Sequence, residues 1–272
     1  MPLTNGQIAA LKIIAGSRDP ESYVAGATPL NRDFGRFSAD IDIFNDSEAR
    51  AAEAAHSGAA SLEAAGFKIT WLRRTGGTHS LLAERDGETT KLEWVADSDF
   101  RFFPTVPDAL FGYTLHPVDL AANKVLAAGN RRELRDLVDI ITIHESILPL
   151  GALIWAAVEK APGFTPEGLI AEIRRNSIYP REEWDTLAAQ APIDPGATLG
   201  RLRSALDEGE AFIARMPTEK VGRLFIANGD VVQPDPERLS EYLEHTGQRR
   251  GHWPSNPDVA AAMMAQLKIP RP

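Results

Sequence analysis

The stretch Arg36-Phe37-Ser38-Ala39-Asp40-Ile41-Asp42-Ile43-Phe44 decides how this chain is read. Between positions 40 and 43 acid and isoleucine alternate with the two-residue period of a strand, so Asp40 and Asp42 share one face while Ile41 and Ile43 point into a core. Aspartate is depleted in strands, and two on one face repel each other unless something positive lies between them. A divalent metal is the natural partner, and hard oxygen ligands suit Mg²⁺. Asp97-Ser98-Asp99 repeats the spacing without flanking alternation and reads as a solvated turn.

Upstream, Tyr23-Val24-Ala25 reads as a short strand running into Gly26-Ala27-Thr28-Pro29-Leu30. A glycine followed by a hydroxyl residue at a strand-to-helix turn lets backbone N–H groups and the hydroxyl approach phosphate oxygens. An ordinary turn with Thr28 as helix N-cap fits the same residues. Downstream, Asp46 or Ser47 caps an alanine-rich helix running to Gly66. Phe67 to Arg73, His79 to Glu84 and Thr89 to Val95 then read as successive strands, with Asp86-Gly87 as a hairpin turn. With an amphipathic helix before Gly16, residues 1–114 read as an α/β or α+β unit, of which α+β on a mixed sheet is the class expected.

After a Pro- and Phe-rich loop the texture changes. From Pro117 to Arg215 apolar residues recur at helical spacing, so residues 115–272 read as a mainly helical domain with a small β-hairpin near 221–232. Further helices are expected near Pro236 to His245 and Pro257 to Leu267. On the helix from Pro117, Asp119 and Asn123 fall on a polar stripe, whereas Lys124 falls among Leu120, Ala121 and Ala128 and must either snorkel out or meet an anion. On the next helix Arg132, Arg135, Asp136 and Asp139 share a face. A solvated face would pair Arg132 with Asp136 and Arg135 with Asp139, both in the poorer basic-to-acidic order; a functional face would aim the arginines at phosphate.

Composition bounds these readings. The 272 residues are 43% hydrophobic and 25% charged, ordinary globular values for one large domain or two small ones. The absence of cysteine excludes disulfides, thiolate zinc sites and thiol nucleophiles. A net charge of −9 argues against a surface that coats nucleic acid broadly, although residues 115–135 hold a local basic excess through Lys124, Arg131, Arg132 and Arg135. The apolar run Ile147 to Val158, broken by Pro149 and Gly151, falls short of the roughly 20 residues a membrane span needs. With no leader before it, the expectation is a soluble cytoplasmic protein. The six histidines show no metal spacing, no histidine neighbours Ser38, and neither a phosphate-binding Gly-x-x-x-x-Gly-Lys-Ser/Thr loop nor a Rossmann glycine pattern occurs.

The ordered set Gly26-Ala27-Thr28, Arg36-x-Ser38-x-Asp40-x-Asp42, Lys124 and Arg135-Asp136-Leu137-Val138-Asp139 resembles the AbiEii/AbiGii toxin-like family of the nucleotidyltransferase (DNA polymerase beta-like) superfamily. The resemblance spans positions 26 to 139 and does not extend beyond about Pro180. It implies two Mg²⁺ ions on Asp40, Asp42 and a third carboxylate, for which Glu93 in Lys91-Leu92-Glu93-Trp94-Val95 is best placed. The plain alternative for Glu93 is a solvent-facing residue paired with Lys91 or Arg85. It further implies Gly26, Thr28, Arg36, Ser38, Lys124 and Arg135 around an NTP such as ATP, with Asp136 and Asp139 on the catalytic face. Ala27 departs from the pattern, which favours Gly or Ser there, leaving Thr28 to supply any hydroxyl. The implied reaction moves NMP to a tRNA 3′ end or a protein hydroxyl, as a toxin with a cognate antitoxin. A small-molecule acceptor and a catalytically inactive binding protein are the other readings.

Overall fold

The computed structural model describes residues 3–32 and 35–249; the helix expected over Pro257 to Leu267 lies outside them. Among the described residues two compact units emerge, the first up to Asp99 with Pro104–His116, the second comprising Phe100–Phe103 and residues 117–249.

The first unit opens with α1 (Asn5–Ala15), fixed by a capping box between Thr4 and Gln7 and burying Ala10, Leu11 and Ile14. Then come β1 (Ser22–Ala25), the short α2 (Ala27–Leu30), β2 (Asp40–Asn45) and α3 (Glu48–Ala64). Ser47, not Asp46, caps α3, accepting from Arg50 N. The strands β3 (Lys68–Thr75), β4 (Thr78–Arg85) and β5 (Glu88–Ala96) follow as an antiparallel meander, and β6 (Val106–Asp108) and β7 (Gly112–Thr114) close the unit. Asp86 and Gly87 both have positive φ, 54° and 79°, which is what the tight turn between β4 and β5 requires.

These strands form one seven-stranded sheet in the order β3-β4-β5-β2-β1-β7-β6. β2 is central, antiparallel to β1 and parallel to β5. Its alternation behaves as the sequence predicts: Ile41 and Ile43 are fully buried, packed in one cluster with Leu81, Leu92 and Trp94 of the sheet and Ala55, Ala59 and Leu62 of α3. Burial of each isoleucine stabilises the strand by about 2 kcal/mol, and it fixes the register because a one-residue slip would put both in solvent. α3 covers this face of the sheet. The opposite face carries the acids.

The second unit contains α4 (Pro117–Asn130), α5 (Leu134–Ser146), α6 (Leu150–Ala157), α7 (Pro166–Arg175), α8 (Arg181–Trp184) and α9 (Pro195–Ile213). α6 is buried along its whole length, which accounts for the apolar run read in the sequence. Among the described residues no single helix is long and apolar enough to cross a membrane.

The expected hairpin appears as β8 (Leu224–Ala227) and β9 (Asp230–Val232), and a third strand extends it. The helix expected over Pro236 to His245 is instead a 3₁₀ turn at Leu239–Glu241 and a third strand, β10 (Leu243–His245), on the free edge of β8. Tertiary contacts override the apparent helical spacing. Tyr242 meets the Phe225 ring edge-on at 6.4 Å, and the His245 ring stacks on Phe103 at 4.8 Å with Nε2 against the Phe102 carbonyl.

Candidate active site

β2 delivers Asp40 and Asp42 to one face of the sheet, and the parallel register of β5 sets Lys91 opposite Asp40 and Glu93 opposite Asp42. Carboxylate oxygens of Asp40, Asp42 and Glu93 lie within 4.8 Å of one another, each side chain half-buried. Three hard oxygen donors converging at this spacing fit Mg²⁺ in number, charge and chemistry.

Lys91 shares this cluster. Its Nζ donates to Glu93 Oε2 at 2.8 Å and sits 3.5 Å from Asp40 Oδ2. The hydrogen bond to Glu93 raises the ammonium above its usual 10.5 despite partial burial, with Asp40 adding to the effect. Glu93 thus pairs with Lys91, the plain alternative, and also lies with Asp40 and Asp42 in one carboxylate cluster.

The turn after β1 is shaped around Asp42. Gly26 has φ 67° and ψ −145°, a region nearly closed to other residues, and a Cβ there would fall onto Asp42 Oδ2 and 3.1 Å from its Cγ. Gly26, not Thr28, is the N-cap of α2, and no side chain caps that helix. The buried Thr28 hydroxyl instead donates to the Asp40 carbonyl oxygen at 2.8 Å, and Ser38 Oγ donates to the same oxygen at 3.0 Å. Gln7 Nε2 donates to the Ser38 carbonyl at 2.8 Å. These bonds fasten the turn and the approach to β2 onto the first residue of the strand. Arg36 is buried as well, with a guanidinium N–H donating to the Phe37 carbonyl at 3.0 Å.

In the second unit Lys124 meets an anion, the second of its two expected outcomes, but the anions are carboxylates of the chain itself. It neither snorkels nor stands open to a phosphate: its Nζ lies 2.7 Å from Asp136 Oδ1 and 3.1 Å from Asp139 Oδ2. Asp136 and Asp139 are 0% and 1% exposed, so the acids read as a solvated or catalytic face are interior groups. Arg131 Nε donates to Asp136 Oδ2 at 2.7 Å. Burial pushes the Asp136 carboxyl up, but Arg131 and Lys124 together outweigh it and hold the group below its usual 3.8.

The remaining basic residues of this segment are also engaged. Arg132 pairs with Glu183 at 2.8 Å rather than with Asp136 and lies over the Tyr179 ring at 4.3 Å. Arg135 Nε is 3.5 Å from Glu133. The local basic excess read over residues 115–135 is thus neutralised by carboxylates from outside and inside the segment. Asp119, placed on a polar stripe by the helical wheel, is fully buried: it accepts from Phe102 N and Phe103 N at 2.9 Å each and faces Lys160 at 3.1 Å.

No protein-family model matches the sequence, and no curated protein matches it. Solved structures do match. MenT4, a nucleotidyltransferase toxin from Mycobacterium tuberculosis H37Rv, aligns over 79% of this chain and 83% of its own with a TM-score of 0.57 and 16% identity. The chain has the nucleotidyltransferase fold. A protein from H. pylori assigned to the nucleotidyltransferases aligns over 77% of this chain and 94% of its own, at a TM-score of 0.47 and 15% identity.

Within this nucleotidyltransferase sheet, sequence reasoning missed Gln7 and, although it offered Lys91 as a partner of Glu93, missed that Lys91 also reaches Asp40. Lys91 was legible, since it stands two residues before Glu93 on the same strand and so on the same face. Gln7 was not, because nothing local links α1 to the approach of β2.

Proposed function

We propose that the chain is a Mg²⁺-dependent nucleotidyltransferase that moves NMP from an NTP to the 3′ hydroxyl of an RNA acceptor. The observation that carries this reading is the convergence of Asp40, Asp42 and Glu93 on one face of a nucleotidyltransferase sheet, with Gly26 leaving room for Asp42. When bound there, magnesium supplies positive charge to the reacting α-phosphate and the departing pyrophosphate.

The protein's own contributions follow from the sheet order. Asp40 and Asp42 stand on the central strand with the Gly26 turn on the β1 side, and Glu93 stands on the β5 side. The triphosphate belongs beside the turn, where Gly26 lets the backbone come close. The acceptor belongs beside Glu93, whose carboxylate takes the proton of the attacking hydroxyl. Lys91 holds Glu93 in place for that task. The acceptor oxygen bonds to the α-phosphorus as the bond to the β-phosphate oxygen breaks.

The likeness to a nucleotidyltransferase toxin supports a toxin role, and a cognate antitoxin is proposed with that role. The deciding experiment incubates the purified chain with each α-labelled NTP, MgCl₂ and separate total RNA and protein extracts. Label is expected in RNA, lost with EDTA and in Asp42→Ala; label that persists in Asp42→Ala, or that enters only protein, overturns the reading.

A further inference from the structure

The face that carries the acids does not end at Glu93. Direct cross-strand partners share a face, and the registers link Asp42 to Glu93, Glu93 to Ser80 and Ser80 to Arg73, one residue on each of β2, β5, β4 and β3. Arg73 closes this row on the outer strand of the sheet.

An irregularity in β3 puts it there. Trp71 pairs with Leu81 but Arg73 pairs with Ser80, so Leu72 is an extra residue, 53% exposed. An unbroken register would set Leu72 opposite Ser80 and turn Arg73 toward His79 on the α3 face. Bulges of this kind re-aim side chains and recur beside active sites. The neighbouring residues confirm the two faces: Arg73 Nε donates to Thr75 Oγ1 at 3.0 Å on its own side, whereas Arg74 lies 4.2 Å over the Trp71 ring, which meets His56 of α3.

Arg73 is exposed, and among the described residues no carboxylate pairs with it, although most arginines of this acidic chain are so paired. Two strand spacings separate it from Glu93, about 10 Å. A polynucleotide whose terminal hydroxyl sits at Glu93 carries its nearest backbone phosphates within that range, and a guanidinium fork matches a phosphate in shape and charge. A protein hydroxyl brings no such repeating anion.

We infer that Arg73, re-aimed by the bulge at Leu72, is a positioning residue that binds a backbone phosphate of a single-stranded RNA acceptor. The inference rests on the proposed function for the identity of the acceptor, yet binding tests it without any transfer. The probe is a fluorescein-labelled oligoribonucleotide with a free 3′ hydroxyl, titrated with the full chain at several salt concentrations. Arg73→Ala is expected to weaken binding about tenfold, the worth of one charge-assisted contact, and to flatten the log–log salt slope by about 0.7. Arg73→Lys recovers part of the loss, and Arg74→Ala, altered on the other face, leaves binding unchanged.

In the transfer assay Arg73→Ala raises KM for RNA while kcat and KM for NTP stay within about twofold. Equal weakening by Arg74→Ala, no binding of RNA by the unaltered chain, or a rise in KM for NTP instead would each overturn the assignment. So would transfer to a protein acceptor that depends on Arg73 as strongly. Binding that depends on Arg73 in a chain without transfer would sink the proposed function and leave this inference standing.

Discussion

Gly26 and Asp42 share one small space: the hydrogen of the glycine is all that fits where a Cβ would meet the aspartate's carboxylate. Gly26→Ala combines that collision with a backbone conformation, φ 67° and ψ −145°, that alanine rarely adopts. The expected cost is about 1–3 kcal/mol of stability, seen as a lower urea midpoint. Transfer should fall much further than stability, because the collision displaces a proposed metal ligand. A variant that unfolds earlier yet transfers normally would show that Asp42 tolerates the shift.

Lys91 occupies the space between Asp40 and Glu93 and competes with any cation for them. Lys91→Met should enlarge the thermal shift at each magnesium concentration tested. A site at 100 times its dissociation constant gains about 2.7 kcal/mol. Differential scanning fluorimetry over a MgCl₂ series checks this, and Asp42→Asn serves as the variant in which the shift should vanish.

Lys124 is the counter-charge for two interior acids, so Lys124→Ala leaves them unbalanced and should cost about 3–5 kcal/mol. Arg131→Ala should cost less, since its side chain is 50% exposed and Asp136 retains Lys124. Urea unfolding of the two variants ranks them. If Lys124→Ala were as stable as the parent while transfer was lost, the ammonium would belong to substrate rather than to the interior.

Stability should fall with pH in two separate windows. Burial depresses His245, opposed by the Phe102 carbonyl and Asp119, and burial together with His56 depresses His79; both fold with pKa values below the ordinary 6.5. Their neutral forms are favoured by folding, so this contribution is fully present above about pH 6.5 and is lost as pH falls below it toward the folded values. Asp136 has the same sign at lower pH: its contribution is present above 3.8 and disappears as pH falls through its depressed value. Thermal midpoints from pH 8 to 3 should show a first decline beginning near 6.5 that His245→Asn reduces. A midpoint that climbs between pH 7 and 5 would reverse the sign.

The part of this fold that sequence makes legible is the part with a local cause. β2 declares itself because its alternation and its burial are the same fact, and α3 because its alanines and Ser47 act within a few residues. Within the triad, strand periodicity puts Asp40 with Asp42, whereas Glu93 joins them across strands and was reached only through the family resemblance and its order in the chain. What local periodicity could not convey was pairing between elements: Lys124 looked bare because its acids lie on the next helix, and residues 243–245 looked helical because the edge of β8 that captures them is distant in sequence. The Leu72 bulge escapes for the same reason, since only the partner strand reveals that a residue is extra.

The parallel pairing of β2 with β5 also sets an order of assembly. Parallel neighbours cannot be joined by a tight turn, and here α3 and the β3–β4 hairpin lie between them. During synthesis Asp40 and Asp42 therefore emerge well before Glu93 and meet it only when the meander has docked. A chain halted anywhere ahead of β5 carries a pair of acids but not the third, and so remains chemically incomplete until most of its sheet exists.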